Sequence, residues 1–296
     1  MRTLGLTVLA LASSLALTSS FALTSSLLWS SAACAATLDF GDVQTPSFAS
    51  PLVIGGHARG CLAGAEALPS SGDAFQVMRP SRNRFWGHPE LIAFITQFAE
   101  QVRAEGWPGL LIGDLAQPRG GPMSTGHRSH QSGLDVDIWF LAAPQRQLST
   151  AEREEMSAVT MVAEDGETLS PAWAQGQARL LQVAASFPEV DRIFVNPAIK
   201  RALCSEVEGD RGWLAKIRPW WGHDAHFHVG LHCPPDSTEC LERQPPVPDG
   251  DGCDASLDWW FSAAAREELR KGAGAPRPRL TLEDLPAACR AVLTGE

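Results

Sequence analysis

The sequence predicts an α+β fold, a single domain in which helices pack around a central, mainly antiparallel sheet cross-linked by disulfide bonds. Helical and strand-like segments are mixed along the chain without the regular strand–helix–strand alternation that indicates a parallel sheet. The 296 residues, 44% hydrophobic and 20% charged, are typical of one large globular domain. The sequence shows no internal repeat and no second apolar core, which favours one domain over two.

The elements of the first half follow from hydrophobic periodicity. Gln76–Arg79 and Gly109–Ile112 are short apolar runs typical of strands. Between them, Pro89–Glu105 carries apolar residues at helical spacing, and proline suits the first turn of a helix. A second helix is predicted to begin at Ser149, because Ser149 and Glu152 have the form of a capping box.

The second half of the chain contains a further helix, a buried strand and a linker. The helix is predicted from about Ala174 to Ala185, and the strand over Val190–Val195. Lys271–Leu280, rich in Gly, Pro and Arg, is typical of a linker to a short C-terminal helix that ends near Cys289. The predicted boundaries are a signal peptide over residues 1–36, a main domain over residues 37–270, and the linker with its C-terminal segment over residues 271–296.

The N-terminus has the pattern of an export signal. An apolar stretch from Leu4 to about Leu28 follows Arg2 and leads into the small residues Ala32–Ala36. The length of the stretch leaves an uncleaved anchor as an alternative, and Cys34 leaves lipidation as another. Since no later apolar run reaches the length of a membrane span, no stable membrane insertion is expected after signal cleavage.

Cysteine content and charge restrict the compartment and the partners. If Cys34 leaves with the signal, six of the seven cysteines remain, and an even number in an exported chain favours disulfides. Six cysteines allow 15 pairings, and spacing alone favours only the pair Cys233–Cys240. A net charge of −10 without a basic stripe argues against nucleic-acid binding.

Five of the eight histidines lie in two short stretches, Gly126–Ile138 (GHRSHQSGLDVDI) and Trp220–His228 (WWGHDAHFH). In the first stretch two aspartates alternate with apolar residues, so on a strand they share one face. In the second stretch the same period places His226 and His228 on one face. Two adjacent strands that present these faces to each other would assemble a metal site.

The residue types in these stretches are those that bind zinc. Zinc is held by imidazole nitrogens and carboxylate oxygens, and a catalytic site keeps one position open for water. We assign His130, Asp137 and His228 as the metal ligands. His226 is the candidate general base, because same-face neighbours on a strand lie roughly 6.5–7 Å apart and so do not easily bind one ion together.

The remaining polar residues around the two stretches keep more than one interpretation. His127 and His223 are expected to flank the pocket as oxyanion stabilisers, proton donors or substrate contacts. Asp135 either orients a ligand imidazole or is a strand residue without a chemical role. Arg119 and Arg128 are either partners for substrate carboxylates or plain surface charges. Structural roles are predicted for the other three histidines, His57, His88 and His232.

Other hydrolytic schemes lack their sequence motifs. None of the lysines is preceded at three residues by serine, so the Ser-x-x-Lys nucleophile of penicillin-sensitive enzymes is absent. The sequence also lacks a Gly-x-Ser-x-Gly elbow, a His-Glu-x-x-His motif and a P-loop. With no tyrosine in the chain, histidine or arginine must supply any electrophilic assistance.

The two histidine stretches resemble the signatures of the penicillin-insensitive murein endopeptidases. This family belongs with lysostaphin, the D-Ala-D-Ala peptidases and the hedgehog signalling domain in one zinc-peptidase superfamily. The resemblance extends to Gln76–Leu91 (QVMRPSRNRFWGHPEL) and Ile193–Ile199 (IFVNPAI), and covers roughly Pro51 to Cys289.

The resemblance implies a periplasmic zinc peptidase domain over residues 37–270 that hydrolyses the D-alanyl–diaminopimelate cross-links of peptidoglycan peptides. It implies Zn²⁺ held by His130, Asp137 and His228, with His226 as the catalytic base. His127 and His223 are expected in the same pocket. The implied disulfides are Cys61–Cys289, Cys204–Cys253 and Cys233–Cys240.

Two rival functions remain at this point. A D,D-carboxypeptidase of the same superfamily would trim terminal D-Ala, and only the shape of the pocket separates it from an endopeptidase. A zinc-bearing cell-wall binding module would have lost catalysis, but it would not require His226 beside all three ligands. The oligomeric state is left open, including a homodimer.

Overall fold

A mixed six-stranded sheet runs through the centre of the protein. The structure is a computed structural model that describes residues 39–272 and 280–295, all within one compact unit. Within these ranges the strands are β1 (Leu52–Gly56), β2 (Arg59–Ala63), β3 (Glu66–Ala67), β4 (Phe75–Val77), β5 (Trp86–Gly87), β6 (Leu110–Ile112), β7 (Asp135–Trp139), β8 (Val190–Val195), β9 (Ile217–Pro219) and β10 (His226–Leu231). The order of strands in the central sheet is β4–β6–β7–β10–β8–β9.

The helices lie around this sheet. They are α1 (Pro89–Ala104), α2 (Thr150–Glu155), α3 (Gln175–Ser186), α4 (Pro197–Glu206), α5 (Ala255–Asp258), α6 (Ala263–Gly272) and α7 (Cys289–Thr294). Among the described helices, none is both long enough and apolar enough to cross a membrane.

The pairing of the strands confirms the predicted α+β class and the mainly antiparallel sheet. The pairs β6–β7, β7–β10 and β10–β8 are antiparallel, whereas β4–β6 and β8–β9 at the two edges are parallel. Two further two-stranded sheets, β1–β2 and β3–β5, are each antiparallel. The hairpin β1–β2 was not predicted, because Gly55 and Gly60 interrupt its apolar pattern.

The apolar face of the central sheet holds the core. Alternate residues of β7 and β10, among them Ile138 and Phe227, are fully buried in the same cluster as the apolar face of α1. Phe98 of α1 meets Phe227 edge-on, with ring centroids 6.4 Å apart. Burying a side chain of this size contributes about 2–3 kcal/mol, so this face secures the two strands while their other face stays available for polar residues.

Capping residues set the helix starts; the sequence indicates Pro89 and the Ser149–Glu152 capping box, and the structure adds His88. His88 accepts a hydrogen bond from the backbone of Glu90 at the start of α1, and Pro89 occupies the first helical position. Ser149 caps α2 and forms the predicted capping box with Glu152. These starts, like the buried strand β8, confirm the predictions from periodicity.

The C-terminal region differs from the prediction. The last helix was expected to end near Cys289, but it begins there and runs to Thr294. Arg119 donates hydrogen bonds to the carbonyls of Val292 and Leu293 in the final turn of this helix. Lys271 belongs to α6 and not to a linker. The rest of the predicted linker, residues 273–279, and the predicted signal peptide lie outside the described residues.

Disulfide bonds join distant parts of the domain. All three pairings implied by the resemblance are present: Cys61–Cys289, Cys204–Cys253 and Cys233–Cys240. The first of them ties α7 to strand β2 across 228 residues of sequence.

Candidate active site

The polar face of β7 and β10 brings the two histidine stretches together. His228 on β10 lies directly opposite Asp137 on β7, which is the strand adjacency that the alternating pattern predicts. His228 Nδ1 is 3.1 Å from Asp137 Oδ1, and His130 Nε2 is 3.3 Å from the same oxygen. All three side chains are buried. The three residues assigned as ligands therefore meet around one carboxylate.

His127 enters the same cluster from the loop before β7. Its Nδ1 is 3.4 Å from Asp137 Oδ2, and its Nε2 is 3.2 Å from Asp114 Oδ2. Ligand atoms of His127, His130 and Asp137 all lie within 4.8 Å of one another. The third member of this compact group is therefore His127 and not the assigned His228. His228 contacts Asp137 as well, and its ring lies 4.6 Å from that of His130, so it offers a second, overlapping triad.

The loop between His127 and β7 has an unusual backbone. His130 adopts φ +66°, a left-handed conformation that non-glycine residues rarely adopt and that costs on the order of 1–3 kcal/mol. Gly133 follows at φ +74°, where a Cβ would lie 2.3 Å from Leu62 Cδ2. The loop can therefore turn only with glycine at this point, and the turn carries the His130 imidazole over β7.

Asp135 lies beneath the cluster and is completely buried. Its carboxylate accepts hydrogen bonds from His228 Nε2 at 2.8 Å, from His57 Nδ1 at 2.9 Å and from Arg243 Nη2 at 2.7 Å. The backbone N–H of His130 donates to it at 3.2 Å. Burial raises the pKa of Asp135, but His57 and Arg243 outweigh that effect and hold it well below its ordinary value. Of the two interpretations of Asp135, the geometry favours the orienting role.

Asp114 performs the corresponding role for His127. Arg82 and Arg84 donate to its carboxylate at 3.1 and 2.9 Å, in addition to the contact with His127. Burial raises the pKa of Asp114, but hydrogen bonds from His127 and Arg84 lower it to about 2. No local pattern selects Asp114, although it comes two residues after the buried strand β6.

His226 and His223 line the open side of the cluster. His226 Nε2 is 3.7 Å from Asp137 Oδ2, and its ring lies 5.1 Å from that of His223. Both side chains are partly exposed. Burial lowers the pKa of His226, against the opposing effect of Asp137. Burial also lowers the pKa of His223, to about 3, and its Nδ1 lies 2.9 Å from the carbonyl oxygen of Trp221.

The arrangement has the features of a metal site. Neither ring nitrogen of the buried His130 has a hydrogen-bond partner among the described residues, and leaving such atoms unpaired costs about 1–3 kcal/mol each. Tetrahedral zinc with ligand bonds of about 2.0–2.2 Å requires its donor atoms to be about 3.4 Å apart. Asp137 Oδ1 is 3.1 Å from His228 Nδ1 and 3.3 Å from His130 Nε2. If His228 donates Nε2–H to Asp135, its Nδ1 lone pair faces Asp137 Oδ1 at 3.1 Å, and a cation bound by both atoms would relieve this repulsion.

Two cavities meet at this cluster. One, of about 470 Å³, is lined by Phe194, Trp220, His223 and His228. The other, of about 450 Å³, contains His127. Arg128 lines both. A larger cavity of about 630 Å³, next to Trp107, includes none of the site residues.

Comparison with known proteins gives the family of the chain. The sequence profile described as penicillin-insensitive murein endopeptidase matches residues 53–294. The chain belongs to this family. A relative of that description from Yersinia enterocolitica serotype O:8 is 44% identical over 268 residues, 90% of this chain and 94% of the relative. One from Klebsiella pneumoniae strain 342 is 43% identical over 267 residues, covering 90% and 94%. One from Salmonella heidelberg strain SL476 is 44% identical over 270 residues, covering 90% and 95%.

The chain is a peptidase, because it belongs to a family of murein endopeptidases. The roles of the remaining histidines and arginines follow from their contacts. His88 caps α1 and His232 contacts Glu242 at the surface, as predicted for structural residues. His57 has a structural role too, but it supports the site through Asp135. Arg119 is bound to carbonyls of α7, so it is not a substrate partner.

Proposed function

We propose that this protein is a zinc-dependent, periplasmic endopeptidase that hydrolyses the D-alanyl–diaminopimelate amide cross-links of peptidoglycan. The observation that carries the proposal is the buried cluster of His130, Asp137 and His228, which is flanked by His226 and bordered by two cavities. The three disulfides support export to an oxidising compartment.

The proposed zinc ligands are His130 Nε2, Asp137 Oδ1 and His228 Nδ1. The alternative triad replaces His228 with His127. Support for His228 comes from Asp135, which is buried and bonded to His228 Nε2, the common arrangement behind a metal-binding imidazole. Asp114 supports His127 in the same way, but the side chain of His127 is 25% exposed, whereas that of His228 is 2% exposed. When bound, the ion would lower the pKa of a water molecule to about 7 and polarise the scissile carbonyl.

His226 is proposed as the general base. Because burial lowers its pKa, the imidazole is neutral at pH 7 and can accept a proton. Its partial exposure on the open side of the cluster lets it reach a water molecule and later return the proton to the leaving amine. Removing such a group typically lowers the rate by about 10²–10⁴-fold.

His223 and His127 differ in what they can offer a substrate. The carbonyl of Trp221 takes the N–H at His223 Nδ1, so the neutral ring has only a lone pair at Nε2 and can accept a hydrogen bond from a peptide N–H. His127 is held between Asp114 and Asp137 by both ring nitrogens. We propose His223 as a substrate contact, and His127 as the histidine that stabilises the developing oxyanion once a substrate displaces one of these contacts.

The two cavities favour an endopeptidase over a D,D-carboxypeptidase. Cutting a cross-link requires room for chain on both sides of the scissile bond, and two cavities of about 450–470 Å³ border the cluster, one at His127 and one at His223 and His228. Trimming a terminal D-Ala requires room for only one residue on the leaving side.

The proposed mechanism contains no acyl-enzyme, so a β-lactam would find no serine nucleophile to acylate.

The test uses a purified D,D-cross-linked muropeptide dimer, with and without a zinc chelator, and mass spectrometry of the products. Conversion to two monomers without free D-Ala, abolished by the chelator and restored by zinc, is expected. Release of D-Ala alone would support the carboxypeptidase. An intact dimer beside stoichiometrically bound zinc would support a binding module.

A further inference from the structure

Arg218 lies in the same row of the sheet as two of the proposed metal ligands. Asp137 on β7 is paired with His228 on β10, His228 with Phe194 on β8, and Phe194 with Arg218 on β9. Directly paired residues on neighbouring strands share a face of the sheet. Adjacent strands are about 4.8 Å apart, so the backbone of Arg218 is about 10 Å from that of His228. Arg218 also lines the cavity that contains His228.

The positive charges of this cavity are not equivalent. Arg192 donates to Asp191 at 2.6 Å, and Arg243 donates to Asp135 at 2.7 Å. The guanidinium group of Arg218, in contrast, makes no hydrogen bond and no ion pair with any residue in the described ranges. The guanidinium groups of Arg192 and Arg243 are therefore neutralised by carboxylates. That of Arg218, which lies farther along the row than the proposed metal ligands, has no carboxylate bound to it.

Burial makes this arrangement unfavourable without an anion. Arg218 is partly buried; burial and the nearby Arg192 lower its pKa, and Asp254 acts in the opposite direction without contacting it. Arg128, on the rim of the same cavity, is exposed and therefore well hydrated. A half-buried guanidinium has five donors in a planar fork that matches a carboxylate.

The proposed substrate supplies a carboxylate at the corresponding place. In a D-alanyl–diaminopimelate cross-link, the carbon that bears the scissile nitrogen also carries a free carboxylate. This group lies within three bonds of the carbonyl carbon under attack. A substrate whose carbonyl lies over the metal ligands can thus direct this carboxylate along the row toward β9, over the ring of Phe194.

We infer that Arg218 binds the substrate carboxylate adjacent to the amine that is released, and so determines which cross-links are cut. The inference rests on the proposed function, because it takes the leaving group from that reaction. A charged hydrogen-bonded pair of this kind typically contributes about 10- to 100-fold to binding. Arg218 would then distinguish a free from an amidated diaminopimelate residue.

The experiment compares two synthetic cross-linked peptides, identical except that this carboxylate is free in one and amidated in the other. The full chain, loaded with zinc, is expected to cleave the free form with a kcat/KM about 10- to 100-fold higher. Arg218→Gln should reduce that ratio to about one by losing activity on the free form. Arg218→Lys should keep part of it, since lysine retains the charge without the planar fork. Arg128→Gln is the matched variant from the same cavity and should keep the discrimination.

A binding measurement separates this inference from the proposed function. In a His226→Ala background, which should not hydrolyse, calorimetry should show the same preference for the free carboxylate and its loss in Arg218→Gln. If this binding preference appears but the wild-type chain cuts neither peptide, the proposed reaction is wrong and the carboxylate site stands. Equal binding of both peptides, or loss of discrimination in Arg128→Gln instead of Arg218→Gln, would overturn the inference.

Discussion

Replacing Asp135 with asparagine tests which imidazoles hold the metal. The variant keeps the shape of a completely buried side chain but removes its charge. Four donors converge on this carboxylate: His57 Nδ1, the backbone N–H of His130, His228 Nε2 and Arg243 Nη2. The carboxamide oxygen of the variant can accept from some of them, but its NH₂ group must face at least one N–H and would repel it.

The expected losses of zinc affinity and of unfolding free energy follow from where these donors lie. Losing the partner of a ligand imidazole typically weakens metal binding about 10- to 100-fold, which corresponds to about 1.4–2.7 kcal/mol. Unfolding free energy should fall further, by up to about 3–5 kcal/mol, because Arg243 also loses its closer carboxylate and keeps only Asp191 at 3.8 Å. The metal-free protein should therefore be destabilised more than zinc binding is weakened.

Asp114→Asn is the matched control, because Asp114 supports His127 as Asp135 supports His228. Zinc affinity of each variant is measured by competition with a chromophoric chelator, and stability by urea unfolding of the metal-free protein. With His228 as a ligand, Asp135→Asn should weaken zinc binding and Asp114→Asn should leave it within about threefold. The reverse order would show that His127 completes the ligand set and would refute our assignment.

Three further predictions concern the rest of the molecule. The Cys61→Ala/Cys289→Ala variant should lose about 2–5 kcal/mol of unfolding free energy, because the bond spans 228 residues; an unchanged urea midpoint would contradict this. Arg119→Ala should release α7, seen as faster hydrogen exchange there than in α1, whereas unchanged exchange would show that its hydrogen bonds contribute nothing. Burial lowers the pKa of Lys200 from 10.5 to about 8, so between these pH values the unfolded chain binds more protons. Stability of the metal-free protein should therefore rise with pH in this window, by at most about 1.4 kcal/mol per unit, and Lys200→Met should lose most of the slope; equal slopes would refute it.

The pair of site strands was predictable because two patterns coincide in them. A period of two places His226 and His228 on one face, and the same period separates Asp135 from Asp137. Ligand chemistry then requires these faces to meet, and the register confirms that β7 and β10 are neighbours. Local sequence was sufficient for this part of the site because both halves of it are strands of five or six residues.

The residues that support the cluster could not be found in the same way. Arg243 is separated from Asp135 by 108 residues and His57 by 78, and neither has a local pattern that marks it. Asp114 reaches the site only because β6 pairs with β7 at Ile112 and Ile138. Such contacts arise from strand order, which periodicity does not determine.

The errors at element boundaries have similar causes. Helix α4 is absent from the sequence prediction, which has only the strand that precedes it; Asn196 accepts a hydrogen bond from the backbone of Ala198 and starts this helix directly after β8. The position of α7 depends on Cys289 and on Arg119, both of which act from across the structure. A short segment without an extended apolar pattern takes its conformation from such tertiary contacts.

The most direct test of the proposed roles compares His226→Ala with His228→Ala, measuring bound zinc by atomic emission and cleavage of the cross-linked dimer in the same preparations. If His228 holds the ion and His226 moves the proton, His226→Ala should retain one zinc per chain and lose about 10²–10⁴-fold in activity. His228→Ala should lose both zinc and activity. Loss of zinc from His226→Ala, or full activity in either variant, would contradict the assignment of roles.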